Sequence, residues 1–580
     1  MKVNRWLCLF WLLLATTLAG AQTQAPELPS GWTPKKAVTS KHDMVAAANP
    51  LAVDAGYQML KQGGSAVDAA IATQMVLNLV EPQSSGIGGG AFMLFHNGRN
   101  RTLVAYDGRE TAPAAAKPER FLDKEAKPLK FYDAVVGGKS VGVPGTLRLL
   151  ELAHKQHGKL PWATLFEPAI KLAEEGFPVS PRLNVAITGE KYLQQDTAKA
   201  YFFNADGSPL AVGQTLKNPA FAATLKRIAE EGADVLYKGD IARDIVQTAS
   251  SHPTNPGDIT EADLANYKVK VREPVCGEYR RYKVCGVPPP SSGGMTVLQI
   301  LGVLEPFDMK AIGANSLMSV HLFTEAGRLA YADRNQYLAD PDFVQTMPGL
   351  LDRGYLHERS ALIRLDTSMG RGKPGVPSVT EQARKVAFGT DNALDFPSTS
   401  HISIVDKYGN ALAMTTTIED AFGSRLMTKS GFLLNNELTD FSFVPLEDGK
   451  PVANRVEAGK RPRSSMAPTI VYDAKGQIYM VAGSPGGSAI INYVAKALIG
   501  VLDWGLDPQA AIDLPNVGSR NGPTELEKGT AAVELEPKLK ALGHETRVMD
   551  HTSGLQAIVR GKTGWIGGAD PRREGTAKGN

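Results

Sequence analysis

Cysteine is nearly absent: the 580 residues contain three, Cys8, Cys276 and Cys285. That excludes a small disulfide-stapled scaffold and a cysteine-built zinc module. Charge of one sign is also lacking, with 63 basic and 60 acidic side chains and a formal net charge of +3. No electrostatic footprint for nucleic acid exists, and none is expected as a partner. Beyond the first residues no apolar run approaches the roughly 20 residues that cross a bilayer. Nucleotide and hydrolase signatures are missing too. Ser484 has no Gly-x-Ser-x-Gly elbow, there is no Walker-type loop, and the glycines from Gly86 to Gly90 precede a strand, so they do not make a dinucleotide fingerprint. Glu151, His154 and His157 have the spacing of a metal face, but Lys155 and Lys159 mark that stretch as a solvated helix. No metal and no cofactor is expected.

Hydrophobic residues at 43% and charged residues at 21% place the chain among soluble globular proteins. Its length allows several domains or one large core. Residues 1–21 carry Lys2 and Arg5, the apolar stretch Trp6 to Ala15, and Ala19-Gly20-Ala21, which has the form of a signal-peptidase site. The expectation is a cleaved secretory leader, a periplasmic or secreted product, and no membrane attachment after its removal. Losing Lys2 and Arg5 takes the net charge from +3 to +1. Cys276 and Cys285 then remain, flanking the strand-like Tyr279 to Val284; a local disulfide and two buried thiols are equally compatible with the sequence.

Periodicity predicts helices at Leu51 to Gln62 and Ala66 to Leu79, with Gly63-Gly64 ending the first and Ser65 capping the second. The second is apolar on nearly every face, so it should be buried on more than one side. Strands are expected at Ala91 to His96, Thr102 to Tyr106, His401 to Val405 and Ala411 to Ile418, the last two joined by the hairpin signal Asp406 to Asn410. Residues 108–250 read as helix and loop, and further helices are expected at Ser316 to Leu338 and Asn492 to Leu502. Leu365 to Pro397 mixes Gly, Pro, Ser, Thr and Arg without an apolar period and reads as an exposed connector. The sum is an α/β protein with mainly antiparallel pairing.

A connector that feeds directly into a strand beginning Thr399-Ser400-His401 has a chemical meaning. A hydroxyl is a weak nucleophile at neutral pH and needs an adjacent base, and one solution is the free α-amine of an N-terminal Thr, which requires a chain cut. Strand propensity alone also accounts for a Thr at this place. The segment Thr399 to Asp406 with Gly409-Asn410 resembles the opening of the small subunit of γ-glutamyltranspeptidases. Gly63 to Ala70, Gly86 to Met93, Asp107 to Pro113, Pro288 to Gly294, Leu434 to Asn436, Arg463 to Met466 and Gly483 to Ser488 resemble that family's segments in the same order.

The resemblance implies a four-layer αββα sandwich of the N-terminal nucleophile hydrolase type, made as a precursor that cuts itself between Ser398 and Thr399. Large (22–398) and small (399–580) subunits would interleave in one core as a heterodimer. Thr399 would attack the γ-carbonyl of glutathione, glutamine or another γ-glutamyl amide, and water or an acceptor amine would resolve the ester. Thr417 would hold the nucleophile's amino end, and Gly486 and Gly487 would supply oxyanion donors. Arg109, with Ser464 and Ser465 beside it, would take the substrate α-carboxylate, while Glu437 and Asp440, in the loop with Asn436, would take the α-ammonium in a separate anionic pocket. Glu419 departs from the Asn of many members; a third carboxylate either tightens amine recognition or raises a neighbouring acid's pKa. The stretch between Asp440 and Ser464 is short and lacks Tyr, implying an open site.

Two rivals remain. A glutaryl or cephalosporin-type acylase on the same scaffold fits Glu419 and the open site, although Glu437 and Asp440 would then face a substrate without an ammonium group. A non-catalytic periplasmic binding protein would stay one intact polypeptide.

Overall fold

The computed structural model describes residues 28–377, 388–391, 393 and 398–580. Residues 1–27, which contain the expected leader, and part of the expected connector, Pro397 included, lie outside the described residues. Two seven-stranded sheets dominate. The first runs edge to edge through Thr576–Gly579, Met44–Ala47, Thr399–Val405, Ala411–Thr417, Gly90–Asn97, Thr102–Gly108 and Lys270–Arg272. The second runs through Val38–Ser40, Trp565–Ala569, Gln556–Arg560, Ile478–Gly483, Thr469–Tyr472, Tyr282–Gly286 and Val275–Tyr279. Every neighbouring pair in both is antiparallel.

The layering follows from side chains alternating along buried strands. In the first sheet Val45, Ala47, Ile402, Ile404, Leu412 and Met414 point to one core with the helices Pro50–Lys61 and Ala66–Val80. Met44, Ala46, Val405, Ala411 and Ala413 point to the other core, shared with the second sheet and the helices Gly293–Leu304, Leu317–Tyr337 and Ile490–Leu502. Helix, sheet, sheet, helix is the resulting order, in mixed α/β form with antiparallel sheets.

The helix Ala66–Val80 is buried along all fifteen residues, as its unbroken apolar surface predicts. Its start is fixed by a capping box: the Ser65 hydroxyl accepts from the Asp68 N–H and the Asp68 carboxylate accepts from the Ser65 N–H. Asn49 and Ser316 cap Pro50–Lys61 and Leu317–Tyr337 by a single side-chain bond each, accepting from the Leu51 and Ser319 N–H groups. Most expected elements recur with ends shifted by one or two residues. The strand expected from His401 begins at Thr399, because Thr399 and Ser400 pair with Thr417 and Thr416. Cys276 and Cys285 face each other in the edge hairpin and are joined by a disulfide.

Candidate active site

Thr399 opens a central strand, hydrogen-bonded to Ala411–Thr417 on one side and Met44–Ala47 on the other. The sheet's centre therefore fixes its backbone, and only 4% of its surface is exposed. In the register Thr399 lies opposite Thr417. The Thr417 Oγ1 has three partners: it donates to the Ser398 carbonyl at 2.7 Å and accepts from the Thr399 hydroxyl at 3.3 Å and the Glu419 N–H at 2.9 Å. The Ser398 hydroxyl donates to the Gln83 carbonyl at 2.6 Å. Arg573, 174 residues away, donates to the Thr399 carbonyl at 3.1 Å. The peptide bond before Thr399 is thus gripped on both sides, with a hydroxyl donor on its carbonyl oxygen.

The glycine block Gly86 to Gly90 makes this approach possible. A Cβ on Gly89 would collide with the Thr417 carbonyl oxygen, and one on Gly90 would collide with the Glu110 carboxylate.

From Thr417 a relay of polar contacts leads to Arg109. Glu419, whose N–H binds Thr417, takes a hydrogen bond on its carboxylate from Asn436 Nδ2, and the next residue, Glu437, pairs with Arg109 Nη1. Arg109 Nη2 pairs with Asp440, and the remaining guanidinium donors reach the Pro462 and Arg463 carbonyls at 3.1 and 3.0 Å. The structure therefore corrects the expectation of two separate pockets of opposite sign. Arg109 and the two acids intended for the ammonium form one buried ion cluster, because burial makes an unpaired guanidinium costlier than a shared one.

Acids outnumber the cation. Burial, followed by Asp440, Asp420 and Glu437, pushes Glu419 well above the usual carboxylate range. Burial also raises Glu437, and Glu110, packed beside it, rises to about 7. The like-charge repulsion expected around Glu419 acts on Glu419 itself, and it comes second to burial. One oxygen of Glu419, one of Glu437 and both of Glu110 have no hydrogen-bond partner.

Ser464 and Ser465 follow the Pro462 and Arg463 carbonyls that Arg109 holds. Ser464 Oγ accepts from the Met466 N–H at 3.0 Å, and Ser465 Oγ accepts from Arg334 at 2.6 Å. Gly486 and Gly487 have φ of +135° and +54° and lead through a 3-10 turn into the helix Ile490–Leu502, so their N–H groups lie at the positive end of that helix dipole. A Cβ on Gly486 would strike the Tyr493 ring. Pro485 and Arg573 both pack on Gly554, which links this turn to the Thr399 carbonyl. The segment after Asp440 carries a short hairpin, Leu446–Glu447 with Lys450–Pro451, and Phe443 stacks on Phe121.

Sequence reasoning missed Glu110, Arg573, Gln83 and the buried Asp420–Arg425–Glu190 ion pairs. The block Asp107 to Pro113 already contained Glu110, whereas Arg573 and Gln83 carry no local signal. Glu151, His154 and His157 do not converge: Glu151 pairs with Arg148, His154 meets the Leu160 carbonyl and His157 meets the Tyr106 hydroxyl.

Residues 52–580 match the family model described as gamma-glutamyltranspeptidase. The glutathione hydrolase proenzyme of Bacillus subtilis (strain 168) is 37% identical over 590 residues, covering 100% of this chain and 99% of the relative. Among solved structures, the cephalosporin acylase from Bacillus halodurans aligns with a TM-score of 0.82 at 28% identity, covering 96% of this chain and 99% of that one. Helicobacter pylori gamma-glutamyltranspeptidase aligns with a TM-score of 0.55 at 35% identity, covering 62% of this chain and 99% of that one.

Proposed function

The chain belongs to the gamma-glutamyltranspeptidase family, and from that premise we propose that it is an exported, self-cleaving enzyme that transfers or hydrolyses γ-glutamyl groups, with glutathione as the representative donor. The observation that carries this reading is the Thr417 hydroxyl, set on the Ser398 carbonyl beside the Thr399 hydroxyl. Attack of Thr399 Oγ on that carbonyl breaks the Ser398–Thr399 C–N bond, forms an ester and frees the Thr399 amine. Thr417 stabilises the charge growing on the oxygen. Water then hydrolyses the ester, leaving Ser398 as a carboxylate and subunits of residues 22–398 and 399–580.

In the mature enzyme the freed amine takes the Thr399 hydroxyl proton as the oxygen attacks the γ-carbonyl, and returns it to the departing amine. Gly486 and Gly487 N–H groups bind the oxyanion. The substrate's α-carboxylate engages Arg109, assisted by Ser464 and Ser465, while its α-ammonium takes over the carboxylates of Glu437 and Asp440 and faces Glu419. A zwitterion suits this cluster because it replaces both halves of each ion pair it opens. Water or an acceptor amine completes turnover.

The likeness to a cephalosporin acylase supports a second reading, in which the donor is a glutaryl amide. Displacing Arg109 from its acids with a carboxylate alone would strand Glu437 and Asp440 in a buried site, which disfavours it. Hydrolysis of γ-glutamyl-anilide and glutaryl-anilide decides between them. The γ-glutamyl compound should have the larger kcat/KM, by about a hundredfold or more; a glutaryl preference would reassign the enzyme.

A further inference from the structure

Among the described residues one group of side chains outside the active site has the composition of a transition-metal centre. His321 and Glu325 are four residues apart on the helix Leu317–Tyr337, hence on one face. His544 comes from the turn before the strand Thr546–Met549. All three are buried, and one ligand atom from each lies within 4.8 Å of the others. We propose that His321 Nδ1, His544 Nε2 and a Glu325 carboxylate oxygen bind one Zn2+-type divalent ion, with water as its remaining ligand.

The surroundings orient each donor. His321 Nε2 is 2.7 Å from the Arg364 carbonyl, which only accepts, so Nε2 carries the hydrogen and Nδ1 presents its lone pair inward. His544 Nδ1 is 2.8 Å from the Thr524 hydroxyl, which can donate or accept. His544 Nε2 lies 2.7 Å from His321 Nδ1, and without an ion Nε2–H donates to it. On binding, the His544 proton moves from Nε2 to Nδ1 by exchange with solvent and the Thr524 hydroxyl turns to accept it, so the imidazole stays neutral. The two ring nitrogens must part to about 3.3 Å, the spacing of two ligands on a tetrahedral ion with bonds of about 2.0 Å.

Glu325 accepts from Arg328 Nε, the Ser368 hydroxyl and the Met369 N–H at 3.1, 2.8 and 2.7 Å. Three of a carboxylate's four lone-pair sites are thus occupied and one remains. Arg328 pairs with Glu325 and, as a neighbouring cation, also opposes the ion's charge. Two imidazoles and one carboxylate under those conditions select zinc or cobalt over magnesium or calcium.

His321 and Glu325 precede Ser398, and His544 follows it. On the self-cleavage reading, the ion would clamp the large subunit to the small one. Metal binding itself does not depend on cleavage, so the test uses the uncut Thr399→Ala chain beside the wild type. After chelation, reloading with Zn2+ and desalting, both should retain one zinc per chain and melt at a higher temperature than without zinc. His544→Gln and Glu325→Gln should lose that zinc and the shift, while the exposed-site control His42→Gln keeps both. Co2+ loading of the wild type should give visible ligand-field absorption, a readout that needs no variant. Absence of retained zinc and of the cobalt spectrum, or equal zinc in wild type and both variants, overturns the site. A Thr399→Ala chain that is found cut contradicts the cleavage reading alone.

Discussion

At the scale of single residues, the Thr417 hydroxyl is the group with the most to lose. Its three hydrogen bonds join the Ser398 carbonyl, the Thr399 hydroxyl and the Glu419 backbone. Thr417→Ala should slow self-cleavage by about a hundredfold, as removal of an oxyanion donor does elsewhere, and Thr417→Ser should restore most of the rate; gel analysis of precursor over time measures both. Arg109→Lys should leave cleavage intact and raise KM for γ-glutamyl donors by about tenfold, because an ammonium cannot form the guanidinium fork. Glu419→Asn should change KM for γ-glutamyl donors more than for glutaryl ones, and equal changes would remove Glu419 from amine recognition. Glu110 gives a pH prediction. Burial raises its pKa from 4.5 to about 7, so the stability it confers is complete below 4.5 and is lost as pH rises through about 7. Glu110→Gln should therefore flatten the fall in Tm between those values. The resemblance to γ-glutamyltranspeptidases made Thr399, Thr417, Arg109, Glu437 and Asp440 candidates. It did not reveal that Arg109 would be paired with the two acids, because a charge's partner is set by which loops meet, and these loops are more than 300 residues apart.

At the scale of elements, local rules were readable and distant pairing was not. Ser65 after Gly63-Gly64 marked a capped helix, and Asp406 to Asn410 marked a hairpin in which the Asp406 carboxylate accepts from the Tyr408 and Asn410 N–H groups at 2.9 and 3.0 Å. Thr576–Gly579 pairs with Met44–Ala47 across nearly the whole chain, and no periodicity carries that information. The cysteine pair was undecided for a related reason: only the register, which sets Cys276 against Cys285, brings the two together. Replacing both by Ala should cost about 2 kcal/mol in unfolding free energy, the scale expected for a short closed loop. Self-cleavage should be unchanged, since that hairpin lies at the far edge of the second sheet.

At the scale of the whole molecule, cutting before Thr399 would free the end of a strand but leave both fragments woven together. Thr399–Val405 lies between Met44–Ala47 from the first fragment and Ala411–Thr417 from the second, and Gly90–Asn97 covers the latter's other side. The cut fragments should therefore co-elute as one particle on gel filtration and separate only in denaturant. No described helix is long and apolar enough to cross a membrane. The central claim is that the working nucleophile is the amino-terminal residue of a new chain, and the intact mass of denatured, fully active protein tests it most directly. Two masses, the smaller equal to residues 399–580 with an unblocked Thr399, are predicted; full turnover of γ-glutamyl-anilide by a preparation containing a single mass that spans the 398–399 bond would contradict the account.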